Sequence, residues 1–411
     1  MKYKNRAISR RVRQLLEYFP VVVVAGARQV GKSTMLSHIL PKWENIVFDP
    51  VVDVSAARSD PELFLQNHPP PLILDEIQYC PELVPTLKRR VDDDGRPGLF
   101  VLTGSQQWSV LKSVSESLAG RAAFIDLEGF SIAEIAENLP TSSWLEQYLD
   151  DPTAFLASPV HRHKSGRTLH EQLWRGSLPK MDFMPLDIGQ DYFSGYLRTY
   201  VERDIRLMLE AADWQQFGSF VQLAAALTAQ EINFSQLGRE IGITPQTSKR
   251  WLAVLSATFQ WFQIPAYQGN TIKRISAKPK GHFADTGMVC HLSRISSPQA
   301  IGGHPLAGPL FETFIAGEVR KMISVMNRKP ALYHWRSHSG AEVDLILERD
   351  GILYPIEIKL ASRPTRHDTR GFTALRKAYP NQKIAPGLVL APTDGRTSLN
   401  GIDYAVPFDL I

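Results

Sequence analysis

The chain has 411 residues, 44% of them hydrophobic and 21% charged, with a mean hydropathy of −0.17, so it is expected to fold as an ordinary globular protein of two or three domains with ample core. A net charge of +4 and a pI near 8.9 permit nucleic-acid binding without demanding it. The two cysteines, Cys80 and Cys290, exclude a disulfide framework and a cysteine metal centre.

Basic residues open the chain, but no continuous apolar segment precedes Pro20, and the run from Val21 to Ala27 is far too short to span a bilayer. A cytoplasmic protein with no membrane partner is the expectation. An Arg-rich helix over residues 5 to 18 leads into Val21 to Ala25, whose β-branched run reads as a buried parallel strand. GARQVGKS (Gly26 to Ser33) follows, and residues 34 to 40 read as a helix. Strand, glycine loop, helix is the setting of a phosphate-binding loop. Gly26 and Gly31 let successive N–H groups turn toward one point, and the helix N-terminus adds partial positive charge. Gly26, Ala27, Arg28, Gln29, Val30, Gly31, Lys32, Ser33 and Thr34 therefore form the expected nucleotide-binding set. Lys32 can reach the β- and γ-phosphates, and the Ser33 hydroxyl can ligate magnesium. Arg28 either touches phosphate or is solvated, and Thr34 fits a first helical turn better than a metal shell.

After Pro69 to Pro71, Leu72 to Asp75 reads as a second buried strand with Asp75 and Glu76 at its carboxyl edge, where open α/β sheets bind ligands. Asp75 would hold magnesium through a water, and Glu76 would polarise the water that attacks the γ-phosphate. A third strand, Leu99 to Thr103, brings Thr103 and Ser105 to the same edge, to position that water or simply to turn the chain. Arg121 could reach a neighbouring subunit's nucleotide as an arginine finger, or be solvated. Alternating strands and helices up to residue 137 predict an α/β domain with a parallel sheet covered on both faces.

Residues 138 to 218 read as a linking region, ending in an amphipathic helix from Tyr192 to about Glu210 that packs between domains; Glu202, Arg203 and Asp204 lie on it. Residues 219 to 300 read as a winged helix. Phe234 to Ile241 ends at Gly242, and Thr244 and Pro245 suit the N-cap and first position of the next helix. That is the helix-turn-helix pattern, whose second helix presents its N-terminal residues to a DNA groove, although many such folds serve protein contacts. Gln246, Ser248, Lys249 and Arg250 would be the contacts. Lys273, Arg274, Lys278 and Lys280 would form a basic wing that touches phosphate.

Residues 301 to 411 read as an α/β domain. Ala341 to Leu347 and Ile352 to Leu360 form a hairpin around Asp350 and Gly351. Glu357 and Lys359 share a face of the second strand, Asp344 sits on the first, and Glu312 lies on a helix upstream. This order resembles the PD-(D/E)xK nuclease core, with Val343 where proline is usual. The resemblance implies carboxylates that hold magnesium and a lysine that orients the nucleophile; the plainer reading is a hairpin with salt-bridged acids.

GARQVGKST, LILDEIQ, VLTGS and SLAGR, followed by FADTG, GPLFETF, HWRSHSGAEVDLIL and YPIEIK, resemble a family of uncharacterised bacterial and archaeal AAA-type ATPases with a fused C-terminal domain of unknown function. The resemblance spans essentially the whole chain, with Ala27 and Ser33 where Pro and Thr are more usual. It implies ATP with Mg2+ as cofactors and a homo-oligomer, in ring form for many AAA proteins. The combined reading is a P-loop AAA-type ATPase that binds and processes or remodels DNA. The competing reading is an ATP-dependent switch whose C-terminal modules bind proteins.

Overall fold

The computed structural model describes residues 2–49, 54–105, 118–200, 214–269 and 277–411. Five strands, β1 (Val21–Ala25), β2 (Glu44–Val47), β3 (Leu72–Asp75), β4 (Phe100–Gly104) and β5 (Ala122–Asp126), form a parallel sheet in the order β2-β3-β4-β1-β5. The central strands β1, β3 and β4 are buried throughout, which is why their sequences are continuous apolar runs rather than alternating ones. All five strands point the same way, so the residues after β1, β3 and β4 meet at one edge.

The expected N-terminal helix is confined to Ser9–Leu16. Residues before it are held by long-range contacts instead, with the Ala7 N–H donating to Glu134 at 2.8 Å. The stretch expected to link domains carries helices Trp144–Asp150, Leu169–Arg175 and Gly189–Tyr200. Trp144, Tyr148 and Trp174 anchor the first two in the core. Glu202, Arg203 and Asp204, expected on the same helix, lie outside the described residues.

The middle of the chain runs helix Trp214–Ala226, β6 (Gln230–Glu231), helices Phe234–Ile241 and Pro245–Ala257, then β7 (Trp261–Ile264) and β8 (Lys280–Phe283). The strands pair antiparallel as β6-β8-β7. Gly242 ends one helix in the left-handed conformation, and the Thr244 hydroxyl caps the next by accepting from Thr247 N–H at 3.1 Å.

The C-terminal part packs helix Ala307–Val325 on a mixed sheet. β9 (Ala331–Arg336), β10 (Glu342–Arg349) and β11 (Ile352–Ile358) form an antiparallel meander. Beyond it, β13 (Leu388–Ala391) and β15 (Tyr404–Pro407) continue in parallel, while the short β12 (Lys383–Ile384) and β14 (Thr397–Ser398) pair with β11 and β15. The predicted hairpin turn is present, with Asp350 and Gly351 both at positive φ (53° and 76°), as a two-residue turn between twisted strands requires.

One apolar cluster runs from Ile8 and Val22 through Trp174, Phe220 and Trp251 to Leu345 and Leu410. Polar contacts reinforce this continuity. Glu318 accepts from Ile132 N–H at 2.9 Å, Tyr354 donates to Leu149 O at 2.9 Å, and Tyr267 N–H donates to His334 O at 2.6 Å.

Candidate functional site

β1 delivers Gly26 to the sheet edge in a space with no room for a side chain, since a Cβ there would lie 2.2 Å from Leu127 O. Gln29 and Gly31 both take positive φ (61° and 92°), the left-handed geometry from which anion-binding backbone nests are built. Helix Lys32–Ile39 begins at Gly31 with no side-chain cap, which leaves its first N–H groups without a side-chain acceptor and suited to an anion. Lys32 is buried and folded back into the loop, donating to Gly26 O at 2.9 Å and Ala27 O at 3.0 Å. Thr34 lies exposed in the first turn.

Other side chains hold the loop from outside. Arg6, buried beneath it, donates to Val30 O at 2.7 Å and Glu128 O at 2.6 Å. Tyr192 donates to Gln29 Oε1 at 2.7 Å, and Tyr196 Oη lies 3.5 Å from Arg28 O. Arg28 donates to Tyr79 Oη at 3.0 Å.

The acids arrive from β3. Asp75 is buried, and its carboxylate accepts from the hydroxyls of Ser33 and Thr103. Thr103 Oγ1 also accepts from Glu76 N–H at 3.1 Å, so one β4 side chain fixes both acids. Glu76 itself is left-handed (φ 57°), a strained state for a non-glycine residue and typical of functional turns. Its carboxylate accepts from Gln78 and, at 3.2 Å, from Ser105 Oγ. Arg121 stands elsewhere. Its carbonyl accepts from Val21 N–H at the start of β1, about 13 Å along the strand from the loop, and its guanidinium pairs with Asp92.

The second predicted group, Glu312, Asp344, Glu357 and Lys359, is assembled around an unexpected member. Lys280 Nζ lies 2.8 Å from Glu312, 2.6 Å from Glu342 and 3.2 Å from Asp344. Burial alone would lower the Lys280 pKa, but Asp344, Glu312 and Glu342 together outweigh it and hold it raised. Lys359 donates to Glu357 at 2.5 Å, and Asp344 accepts from Ile358 N–H at 2.9 Å. Burial, then the charge of Asp344, pushes both Glu312 and Glu357 above the usual carboxylate range. Among the described residues, no group of three His, Cys, Asp or Glu is placed to hold a metal ion. The residues present do not fit the magnesium that the nuclease resemblance implies.

Two of the expected DNA contacts are corrected. Lys280 is 2% exposed and committed to the carboxylates, so it cannot touch phosphate. Ser248 is fully buried, its hydroxyl donating to Thr244 O at 3.2 Å on the inward side of the helix. Gln246, Lys249, Arg250 and Lys278 are exposed, while Lys273 and Arg274 lie outside the described residues.

A family described as AAA domain matches residues 18–136. Residues 18–136, which carry the five-stranded parallel sheet and its glycine loop, are thus similar to AAA domains. Two families, each described as a domain of unknown function (DUF8612 and DUF4143), match residues 166–299 and 307–411. Uncharacterized proteins of Mycobacterium tuberculosis (Rv2008c) and Mycobacterium bovis (Mb2031c) are each 27% identical over 100% of this chain and 85% of their own length. The Walker-type ATPase PABY2304 of Pyrococcus abyssi superposes with a TM-score of 0.40 at 15% identity, covering 71% of this chain and 99% of that one. Among the described residues, no helix is long and apolar enough to cross a membrane.

Several residues around the AAA domain's loop escaped sequence reasoning. Arg6 and Tyr192 act across 24 and 163 positions, and no local pattern marks them. Gln78 was detectable, standing two residues beyond Glu76. A cavity of about 460 Å3 borders the loop on the side of the middle module, lined by Ala27, Val30, Tyr196 and Gln260 among others. Another, of about 1170 Å3, lies between the N-terminal segment and helix Ala307–Val325, and none of Lys32, Ser33, Asp75 or Glu76 borders it.

Proposed function

We propose that this protein hydrolyses ATP with magnesium in its N-terminal domain and uses the cycle to remodel or process duplex or branched DNA. The observation that carries the ATP half is the meeting of Ser33, Asp75 and Thr103 beside a loop with positive φ at Gln29 and Gly31 that opens into an uncapped helix N-terminus. Magnesium, when bound, neutralises phosphate charge. In this reading Ser33 and Asp75 hold it. Lys32 leaves the Gly26 and Ala27 carbonyls for the β- and γ-phosphates. The remaining loop residues, Gly26 to Gly31 and Thr34, cradle the nucleotide. Glu76 takes the proton of the attacking water, with Thr103 and Ser105 fixing its position. Arg121, remote from its own loop, completes the site of the next subunit in a homo-oligomer. Mixed oligomers of Arg121→Ala and Lys32→Ala chains should therefore regain part of the lost turnover.

We divide the chain into an ATPase domain (1–137), a helical connection (138–218), a winged helix (219–300) and a nuclease-like α/β domain (301–411), and place the protein in the cytoplasm. Support for DNA binding comes from the helix-turn-helix geometry and from the exposed Gln246, Lys249 and Arg250 at the start of its second helix, with Lys278 nearby. The test is ATP turnover with and without duplex DNA, beside binding measured across salt. Stimulation is expected, and Lys249→Glu with Arg250→Glu should weaken binding for all sequences and flatten its salt dependence. Turnover indifferent to DNA, with no binding at low salt, would support the protein-binding switch instead.

A further inference from the structure

The C-terminal carboxylate cluster has no open centre. Lys280 enters from β8, a strand of the middle module, with its side chain 3% exposed. An ammonium has three N–H donors, and here three carboxylates surround it at 2.6–3.2 Å. A divalent ion bound by Glu312, Glu342 and Asp344 would need their oxygens around the same point, at about 2.0–2.6 Å. Two cations cannot share it.

The lysine is also held by its own strand. Lys280 pairs with Glu231 of β6 and Ile264 of β7. Flanking backbone bonds join Ile232 N–H to Pro279 O at 2.9 Å and Ala229 N–H to Gly281 O at 2.8 Å. Gly281 is packed so closely that a Cβ there would lie 2.0 Å from the Trp261 ring. Withdrawing Lys280 by sliding β8 would therefore dismantle the three-stranded sheet. Swinging the side chain aside would leave the ammonium and the buried Asp344 carboxylate unpaired, with only Glu342 of the three acids substantially open to solvent.

We propose that Lys280 is a built-in counter-cation at the metal position of this cluster, so that the C-terminal module takes up no divalent cation and does not cleave nucleic acid by a metal-activated water. Its role is to tie the middle module to the C-terminal one. Four acids (Glu312, Glu342, Asp344, Glu357) face two ammoniums (Lys280, Lys359), and Glu357 Oε2 is buried with no hydrogen-bond partner. This inference is independent of the ATP-driven reading.

The test is titration of nucleotide-free protein with Mn2+ alone, free Mn2+ being read by electron paramagnetic resonance. An Asp75→Asn background silences the N-terminal site. That parent should show no uptake that Asp344→Asn removes. Adding Lys280→Met should create one site per chain, at least tenfold tighter than any in the parent and lost again with Asp344→Asn. Lys280→Arg should keep the ion out. Asp344-dependent Mn2+ uptake by the parent would overturn the proposal, as would a folded Lys280→Met chain that binds none. If Lys280→Met fails to fold, the parent and its Asp344→Asn partner decide alone.

Discussion

Two buried acidic sites in this molecule have opposite fates. At the carboxyl edge of the first sheet, Asp75 is held by the hydroxyls of Ser33 and Thr103, and the nearby Lys32 ammonium rests on backbone carbonyls. At the meander of the second sheet, Asp344 sits among three other acids with Lys280 set into their midst. Hydroxyl partners can share a carboxylate with an incoming cation; an ammonium competes with it. What separates a site able to accept a cation from one closed to it is therefore the partner of the acid, not the acid.

The largest effect should come from the first site. Lys32→Ala should abolish nucleotide binding, read by fluorescence of a labelled ATP analogue, because the other charged side chain of the loop, Arg28, is turned toward Tyr79 and does not replace the Lys32 ammonium at the β- and γ-phosphates. Binding at the parental affinity would break the comparison at its open end. At the closed end, Lys280→Ala should lower unfolding free energy by about 3–5 kcal/mol, since removing one partner of a buried ion cluster leaves the others uncompensated. Chemical denaturation measures this, and a loss below about 1 kcal/mol would mean that water already reaches the acids.

A smaller effect concerns protons. Glu357 is held above its ordinary value of 4.5 by burial and then by Asp344. A carboxyl raised in the folded state binds its proton more tightly there than in the unfolded chain, so stability falls as pH rises from 4.5 toward the raised value. Glu357→Gln does not titrate. Its stability relative to the parent should therefore climb over that interval, by up to about 1.4 kcal/mol for each pH unit. A difference that is flat with pH would show that Glu357 titrates normally.

How far the sequence could be read follows from the same contrast. The phosphate loop is local chemistry, with nine consecutive residues running from the end of a strand into the first turn of a helix, so it was legible from spacing. Asp75 and Glu76 were legible because a buried strand that ends in acids puts them at the ligand-binding edge. The convergence of Glu312, Asp344, Glu357 and Lys359 was legible in part from strand alternation. Lys280 was not. It follows a run rich in basic residues that suggests a solvated wing, and its partners are 32 to 64 positions away. Only tertiary packing turns such a lysine inward. Ser248 was misread for a related reason, because a polar residue in a recognition helix looks exposed until helical periodicity places it against Gly238, where a Cβ would come within 3.1 Å of its hydroxyl.

The contrast between the two aspartates is tested most directly by magnesium-dependent ATP turnover in Asp75→Asn and Asp344→Asn, measured side by side below the unfolding temperature of each. The account predicts that Asp75→Asn loses about a hundredfold or more, while Asp344→Asn stays within about twofold of the parent. Equal losses, or a loss confined to Asp344→Asn, would contradict it.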